Sequence, residues 1–168
     1  MDQEPGYRVE PLESHHDRAA FSCGVVELDR YFHHQAGQDR KRDLAVAFIL
    51  TSDGKTIAGF YTLSQHSIQI ADLPEGQAKK LPPLPIGVTL LGRMAMSQGL
   101  QGQGLGEFLL MDALKRAWIL SQQIASWAVV VDAKAGAREF YLKYEFVPMP
   151  SNPDRLFLTM KTIKRLFF

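Results

Sequence analysis

Apolar positions along the chain change period several times, and each change marks an expected element. In residues 24–38, Val25, Leu28, Tyr31 and Phe32 recur at helical spacing while Glu27, Arg30, His34 and Gln38 fill the opposite arc, which predicts an amphipathic helix. Residues 44–51 and 56–64 are dense in Val, Ile, Phe and Tyr and flank Ser52-Asp53-Gly54-Lys55. An Asp-Gly pair between two such runs predicts an antiparallel hairpin. Pro74, Pro82, Pro83 and Pro85, with Lys79-Lys80, then interrupt the pattern over residues 72–85, which read as a long surface loop inside one domain.

Beyond that loop residues 86–96 read as a strand, 102–106 as a glycine turn and 105–122 as a helix. In that helix Leu109, Leu110, Ala113, Ala117 and Leu120 share one face, and Glu107, Asp112, Lys115 and Arg116 the other, with Phe108 inside the polar arc. Residues 127–132 form a β-branched run suited to a central strand buried on both faces. Residues 135–144 look helical, and 146–147 and 156–160 look like short strands around a 148–153 turn. This order predicts a mixed α/β sheet with helices packed on it.

A length of 168 residues sets a single domain, 1–168, as the expectation. Net charge of +1 argues against a protein that holds nucleic acid by bulk electrostatics and leaves room for local basic patches. Cys23, the lone cysteine, cannot form an intrachain disulfide, and no segment resembles a signal peptide; a soluble, cytoplasmic protein is expected. The longest apolar runs, 44–50 and 128–131, fall short of the roughly 20 residues of a membrane-spanning helix.

The most informative stretch is Leu91-Gly92-Arg93-Met94-Ala95-Met96 followed by Gln101-Gly102-Gln103-Gly104-Leu105-Gly106, a strand running through alternate glycines into a helix. Glycine permits a tight bend and close approach to main-chain N–H groups. A helix start adds unpaired donors and the positive end of its dipole, a combination that favours phosphate. A nucleotide-hydrolysing loop would need Gly-Lys-Ser/Thr, whereas Glu107 follows Gly106. The dinucleotide fingerprint fails on the same glutamate, which takes the sixth position from Gly102. An anion site and a tight connection without a ligand both remain open on these residues alone.

Gln101-x-x-Gly104-x-Gly106 after an apolar strand resembles the Gln/Arg-x-x-Gly-x-Gly/Ala acyl-CoA signature of the GNAT N-acetyltransferases. Phe21-x-Cys23-Gly24-x-x-x-Leu28-Asp29-x-Tyr31-Phe32, Gly59-Phe60-Tyr61, Leu91-Gly92-Arg93 and Phe140-Tyr141 extend the likeness over nearly the whole chain. They are similar to one branch of that family, the acetyltransferase toxins of bacterial toxin–antitoxin modules. The resemblance implies a GNAT fold, a mixed and mostly antiparallel twisted sheet flanked by helices, whose splayed strands bind acetyl-CoA. It implies that N–H groups within Gln101, Gly102, Gln103, Gly104, Leu105 and Gly106 bind the CoA pyrophosphate, and that the main chain of Met94 and Met96 meets the pantetheine arm. It further implies acetylation of the α-amino group of aminoacyl-tRNA, a block of translation, a ribbon-helix-helix antitoxin that alone contacts operator DNA, and a homodimer.

Acetyl transfer needs a neutral amine, a place for the developing oxyanion and a proton for the departing thiolate. A strand opened beside the pantetheine supplies a backbone N–H for the second need. The Phe140-Tyr141 motif of the family points to Tyr141 as general acid for the third; a packed core aromatic is the competing reading. An α-amino group titrates near 7.7–8.0, so a strong base is unnecessary. No carboxylate in residues 93–96 offers one, and Asp132 serves as well as a helix cap.

With so little net charge, tRNA would depend on the clusters Arg40-Lys41-Arg42, Lys79-Lys80, Lys115-Arg116 and residues 161–165. Arg93, Lys41 and Arg42 are the candidate substrate-binding residues, against an ion pair for Arg93 and ordinary solvated faces for the clusters. The pairs His15-His16 and His33-His34 lack metal-site spacing, so no metal is expected. Cys23 reads as a buried structural thiol. Phe108 and Leu166-Phe167-Phe168 offer surfaces for a second copy or an antitoxin, a frayed terminus being the simpler reading of the latter. Other functions compatible with the residues are acetylation of a small amine or protein N-terminus and a catalytically silent acyl-CoA-binding partner of a transcriptional repressor.

Overall fold

Asp53 shows how the sequence sets the fold locally: its Oδ1 accepts the N–H groups of Lys55 and Thr56 at 2.8 and 2.7 Å, and Gly54 takes φ +80° beside it. Hydrogen bonds from Thr56 and Lys55 hold this carboxyl well below the usual carboxylate range. The expected hairpin therefore forms.

The computed structural model describes residues 6–133 and 136–168. Its elements are β1 (Arg8–Pro11), α1 (Val26–His34), α2 (Ala36–Lys41), β2 (Val46–Thr51), β3 (Gly59–Ile68), α3 (Glu75–Ala78), β4 (Ile86–Met96), α4 (Leu105–Ser121), β5 (Ala128–Asp132), α5 (Arg138–Leu142), β6 (Val147–Met149), β7 (Asn152–Thr159) and α6 (Met160–Phe167). Seven strands hydrogen-bond in the order β1-β2-β3-β4-β5-β7-β6. β4 and β5 run parallel, whereas β1–β2, β2–β3, β5–β7 and β6–β7 are antiparallel, which is the mixed, mostly antiparallel α/β sheet expected. No helix among the described residues is long and apolar enough to cross a membrane.

The chain forms two compact units, one of residues up to Ser64 with Gly92–Ala113, the other of Gln65–Leu91 with Leu114–Phe168. In the first, α1 and α2 bury Tyr31, Phe32 and Ala36 against Ala47, Ile49 and Phe60. Phe32 stacks on Phe60 at 4.3 Å between centroids, and Phe21 meets both rings edge-on at 5.1 and 5.6 Å. Asp29 fixes the entry to α1, accepting the Cys23 N–H at 2.8 Å and the Ser22 hydroxyl at 2.9 Å. Burial pushes this carboxyl up, but the bonds from Cys23 and Ser22 outweigh it and leave the group below its ordinary value. A depressed carboxyl stabilises the fold above its unfolded value, near 3.9, and loses that contribution as pH falls through the lower folded value. Asp29→Asn should therefore cost about 1 kcal/mol at pH 7, a charged hydrogen bond discounted for exposure. In urea titrations the difference from wild type should shrink as pH drops below 4.

In the second unit β5 is buried along Ala128 to Val131 and paired with β7 from Ala128–Thr159 to Asp132–Arg155. Val88, Val130, Met149 and Phe157 form its core, with Trp127 stacked on Phe157 at 5.5 Å. Thr159 caps α6 by accepting the Thr162 N–H at 3.2 Å.

Several elements depart from the pattern reading. The helix expected over 24–38 is two helices, because Gly24 at φ +89° and extended Val25 delay its start and Gln35, at φ −120°, interrupts it. The strand expected from 44 begins at Val46, leaving Leu44 exposed. Residues 72–85 contain the single turn of α3. Leu120 is exposed, and Leu105 and Leu114 join Leu109, Leu110, Ala113 and Ala117 in the buried face of α4. α5 is shorter than 135–144, of which Ala135 lies outside the described residues. β1 and α6 add elements at either end, and Phe168 packs on Trp118 at 4.5 Å in place of a frayed terminus.

Candidate active site

Two glycines in the turn between β4 and α4 need the left-handed region: Gly102 has φ +81° and Gly104 φ +80°. A Cβ built on either would meet nothing within 4 Å, so the turn is open above both. Gln101 anchors its base, donating from Nε2 to the carbonyls of Cys23 at 3.0 Å and Met96 at 3.3 Å. This holding role of the Gln101 side chain is one that sequence reasoning missed, because it had assigned the residue only a backbone donor. The Phe108 N–H donates to the Gly104 carbonyl at 3.2 Å, which starts α4 and leaves the N–H groups of Leu105, Gly106 and Glu107 without intrahelical partners. Backbone donors, the dipole of a 17-residue helix and an unobstructed approach fit a diphosphate.

Pairing of β4 with β5 runs from Thr89–Val129 to Leu91–Val131, while β4 itself continues to Met96. Half-buried Met94 and Met96 lie in this extension, where main-chain groups past Leu91 have no β5 partner among the described residues. Such an edge accepts an extended ligand by main-chain hydrogen bonds.

Arg93, on the same extension, is exposed and lies with its guanidinium carbon 3.6 Å from the centroid of the Tyr31 ring. Its N–H donates to Thr62 Oγ1 at 3.1 Å. The Tyr31 hydroxyl donates to Asp39 Oδ2 at 2.8 Å, and burial followed by this carboxylate pushes the phenol up to about 12. Among the described residues Arg93 has Tyr31 as its partner in place of the ion pair weighed above. Lys41 ends α2 and Arg42 follows it, both exposed.

Tyr141 belongs to the other unit. It lies on α5 and is 6% exposed, with Phe140 and Phe146 each 5.3 Å away, edge-on. The ring thus packs as a core aromatic does. Desolvation raises its hydroxyl above the usual phenol range, with no hydrogen-bond partner among the described residues. A desolvated phenol is a neutral proton donor throughout the physiological range.

Asp132, weighed above as base or cap, receives Arg155 in a two-pronged pair at 2.7 and 3.1 Å that takes up its carboxylate. Cys23 is buried, and desolvation raises its thiol, consistent with a structural role. Glu10, His15 and His16 bring ligand-type atoms within 4.8 Å of one another. The buried His16 spends both nitrogens inside the chain, Nδ1 accepting the Glu13 N–H at 2.9 Å and Nε2–H donating to Glu10 at 2.6 Å. That ring pins the loop after β1.

An acetyltransferase (GNAT) domain model matches residues 84–159, which include β4, the glycine turn and Tyr141. A probable toxin TacT from Sinorhizobium fredii is 36% identical over 94% of this chain and 93% of its own length. The chain belongs to the GNAT acetyltransferase family. A tRNA-acetylating toxin from Mycobacterium tuberculosis is 35% identical to this GNAT chain, covering 89% of it and 90% of the relative. Its fold is the GNAT fold. A tyrosine-to-phenylalanine mutant of KacT superposes with TM-score 0.91 at 27% identity, over 96% of this chain and 99% of that one. AtaT complexed with acetyl-methionyl-tRNAfMet superposes with TM-score 0.89 at 28% identity, again over 96% and 99%.

Proposed function

We propose that this protein is the toxin of a type II toxin–antitoxin module, working as a single acetyltransferase domain that moves acetyl from acetyl-CoA to the α-amino group of aminoacyl-tRNA and so blocks translation. The observation that carries the reading is the left-handed, unobstructed glycine turn feeding α4, in a chain similar nearly end to end to a tRNA-acetylating toxin.

Acetyl-CoA supplies an activated two-carbon acyl group as a thioester. Backbone N–H groups of residues 101–106 hold its diphosphate, and the main chain of Met94 and Met96 orients the arm. A β4 N–H faces the thioester oxygen as charge develops there. Tyr141 gives its proton to the sulfur as the C–S bond breaks and the new C–N bond forms, and water takes the proton from the amine. Arg93, its guanidinium steadied by Tyr31, contacts the acceptor end, and Lys41 and Arg42 contribute phosphate contacts. A ribbon-helix-helix antitoxin neutralises the enzyme and carries it to operator DNA, and the working form is a homodimer. Support for these partners comes from AtaT, whose structures include complexes with the C-terminus of AtaR and an AtaT-AtaR complex bound to DNA.

The test of acceptor class is incubation with labelled acetyl-CoA and either charged tRNA, free amino acids or peptides. Label on the aminoacyl end of tRNA is expected; label on the free amines alone would replace this reading by a small-amine acetyltransferase. Two further outcomes follow. Arg93→Ala, and Tyr31→Leu which removes the aromatic support, should each raise the KM for charged tRNA about tenfold, roughly one charge-assisted bond. Tyr31→Phe, which keeps the ring, should not. In the pH profile of kcat/KM the rate should rise as the α-amino group deprotonates near 7.7–8.0. Because Tyr141 is raised, it stays a donor to higher pH and the alkaline limb should not fall at an ordinary phenol value near 10.

A further inference from the structure

Gly24 and Gly59 stand in two different sequence motifs, yet both press on one short segment between β4 and the glycine turn. Gly24 has φ +89°, and a Cβ there would fall 2.6 Å from Gln98 Nε2 and 3.1 and 3.2 Å from its Cδ and Cγ. The Gln98 side chain therefore lies flat against the glycine. A Cβ on Gly59, the first residue of β3, would fall 2.6 Å from Met96 Sδ and 3.0 Å from the Ala95 carbonyl oxygen. Only glycine admits approaches as close as these. Main-chain bonds fix the same stretch to the same two neighbours: the Ser97 N–H donates to the Ala58 carbonyl at 2.8 Å, and the Gln98 N–H to the Ser22 carbonyl at 2.9 Å. Gln98–Leu100 then makes a short turn, and Gln101, tied to the Cys23 carbonyl at 3.0 Å, opens the glycine turn proper. The loop that carries Gly24 is itself held, since Asp29 on α1 accepts the Cys23 N–H.

We infer that Gly24 and Gly59 are positioning residues for the coenzyme: by seating Gln98 and Met96 they set the junction between the strand edge that takes the pantetheine arm and the turn that takes the diphosphate. The inference rests on the acetyl-CoA reading of residues 94–106 and deepens it. A ligand that spans two subsites gains from both only when their spacing matches its own, so a small shift of the junction spoils the match and leaves each subsite intact. Residues 97–100 act as the spacer, and the two glycines are the points where it is clamped. Glycines kept for folding alone would behave differently, because loosening the fold weakens every ligand alike.

Calorimetric titration with two ligands separates these cases: acetyl-CoA spans the junction, whereas ADP carries a diphosphate without the arm. Gly59→Ala, at a position without positive φ, pushes on the backbone oxygen of Ala95. It should weaken acetyl-CoA about tenfold and leave ADP within about twofold of wild type. Gly24→Ala should show the same split, with a lower unfolding temperature from its φ. Gln98→Ala, which removes the seated side chain, should weaken acetyl-CoA several-fold, and adding Gly24→Ala to it should cost no further affinity although the backbone strain persists. That failure of additivity marks an effect that passes through Gln98. If Gly24→Ala does not fold, Gly59→Ala decides alone. Equal losses of acetyl-CoA and ADP, wild-type affinities in the glycine variants, or additive losses in the double variant would each overturn the inference. Failure of the wild-type protein to bind acetyl-CoA would defeat the coenzyme reading and the inference with it, a result distinct from all of these.

Discussion

Tyr141→Phe should cut turnover on charged tRNA by about 10²–10⁴-fold, the range for loss of a general acid, with the KM for acetyl-CoA within about twofold of wild type. The substitution removes one oxygen and leaves the ring that packs against Phe140 and Phe146. Because the hydroxyl has no hydrogen-bond partner among the described residues, its removal breaks no bond there, and thermal stability should be maintained or slightly raised. A large kinetic loss without a structural one is the signature of chemistry at that oxygen. Single-turnover rates at saturating acetyl-CoA give the comparison, and a wild-type rate would remove Tyr141 from the mechanism.

The second large effect is expected at the turn. Gly104→Val puts a β-branched residue at φ +80°, where a side chain costs about 1–2 kcal/mol even before contacts are counted. Its Cβ occupies the open approach that the diphosphate requires. Strain and obstruction together should weaken acetyl-CoA by about 10²-fold, from roughly 2.7 kcal/mol at 1.4 kcal/mol per tenfold. Gly76→Ala is the control, since Gly76 lies on α3 with nothing near its Cβ position and no positive φ. Calorimetric titration with acetyl-CoA reads the difference, and equal affinities in the two variants would mean that the turn does not hold the ligand.

Gly102 and Gly104 announced themselves because their conformation is local: a strand, a bend that only glycine enters easily, and a helix follow one another in the continuous stretch from Ile86 to Ser121. The same locality made the Asp53-Gly54 hairpin and the buried run of β5 readable. What stayed hidden depends on partners remote in sequence. Nothing at Gln35 breaks a helix by itself; the break accompanies burial of Tyr31 and Phe32 before it and of Ala36 and Asp39 after it. Leu120 fits the apolar stripe of α4, and only the extent of the core shows that the stripe outruns it. The stacking of Arg93 on Tyr31 joins residues 62 positions apart and so leaves no periodic trace. Gln101 was visible as a motif residue, but its bond to the Cys23 carbonyl required the structure.

The most direct measurement of the central claim is a crystal structure of the protein with acetyl-CoA. Diphosphate oxygens should lie about 2.7–3.2 Å from backbone nitrogens of residues 101–106, with the pantetheine along Met94 to Met96 and the sulfur within reach of the Tyr141 hydroxyl. Coenzyme bound elsewhere, with that turn vacant, would contradict the account.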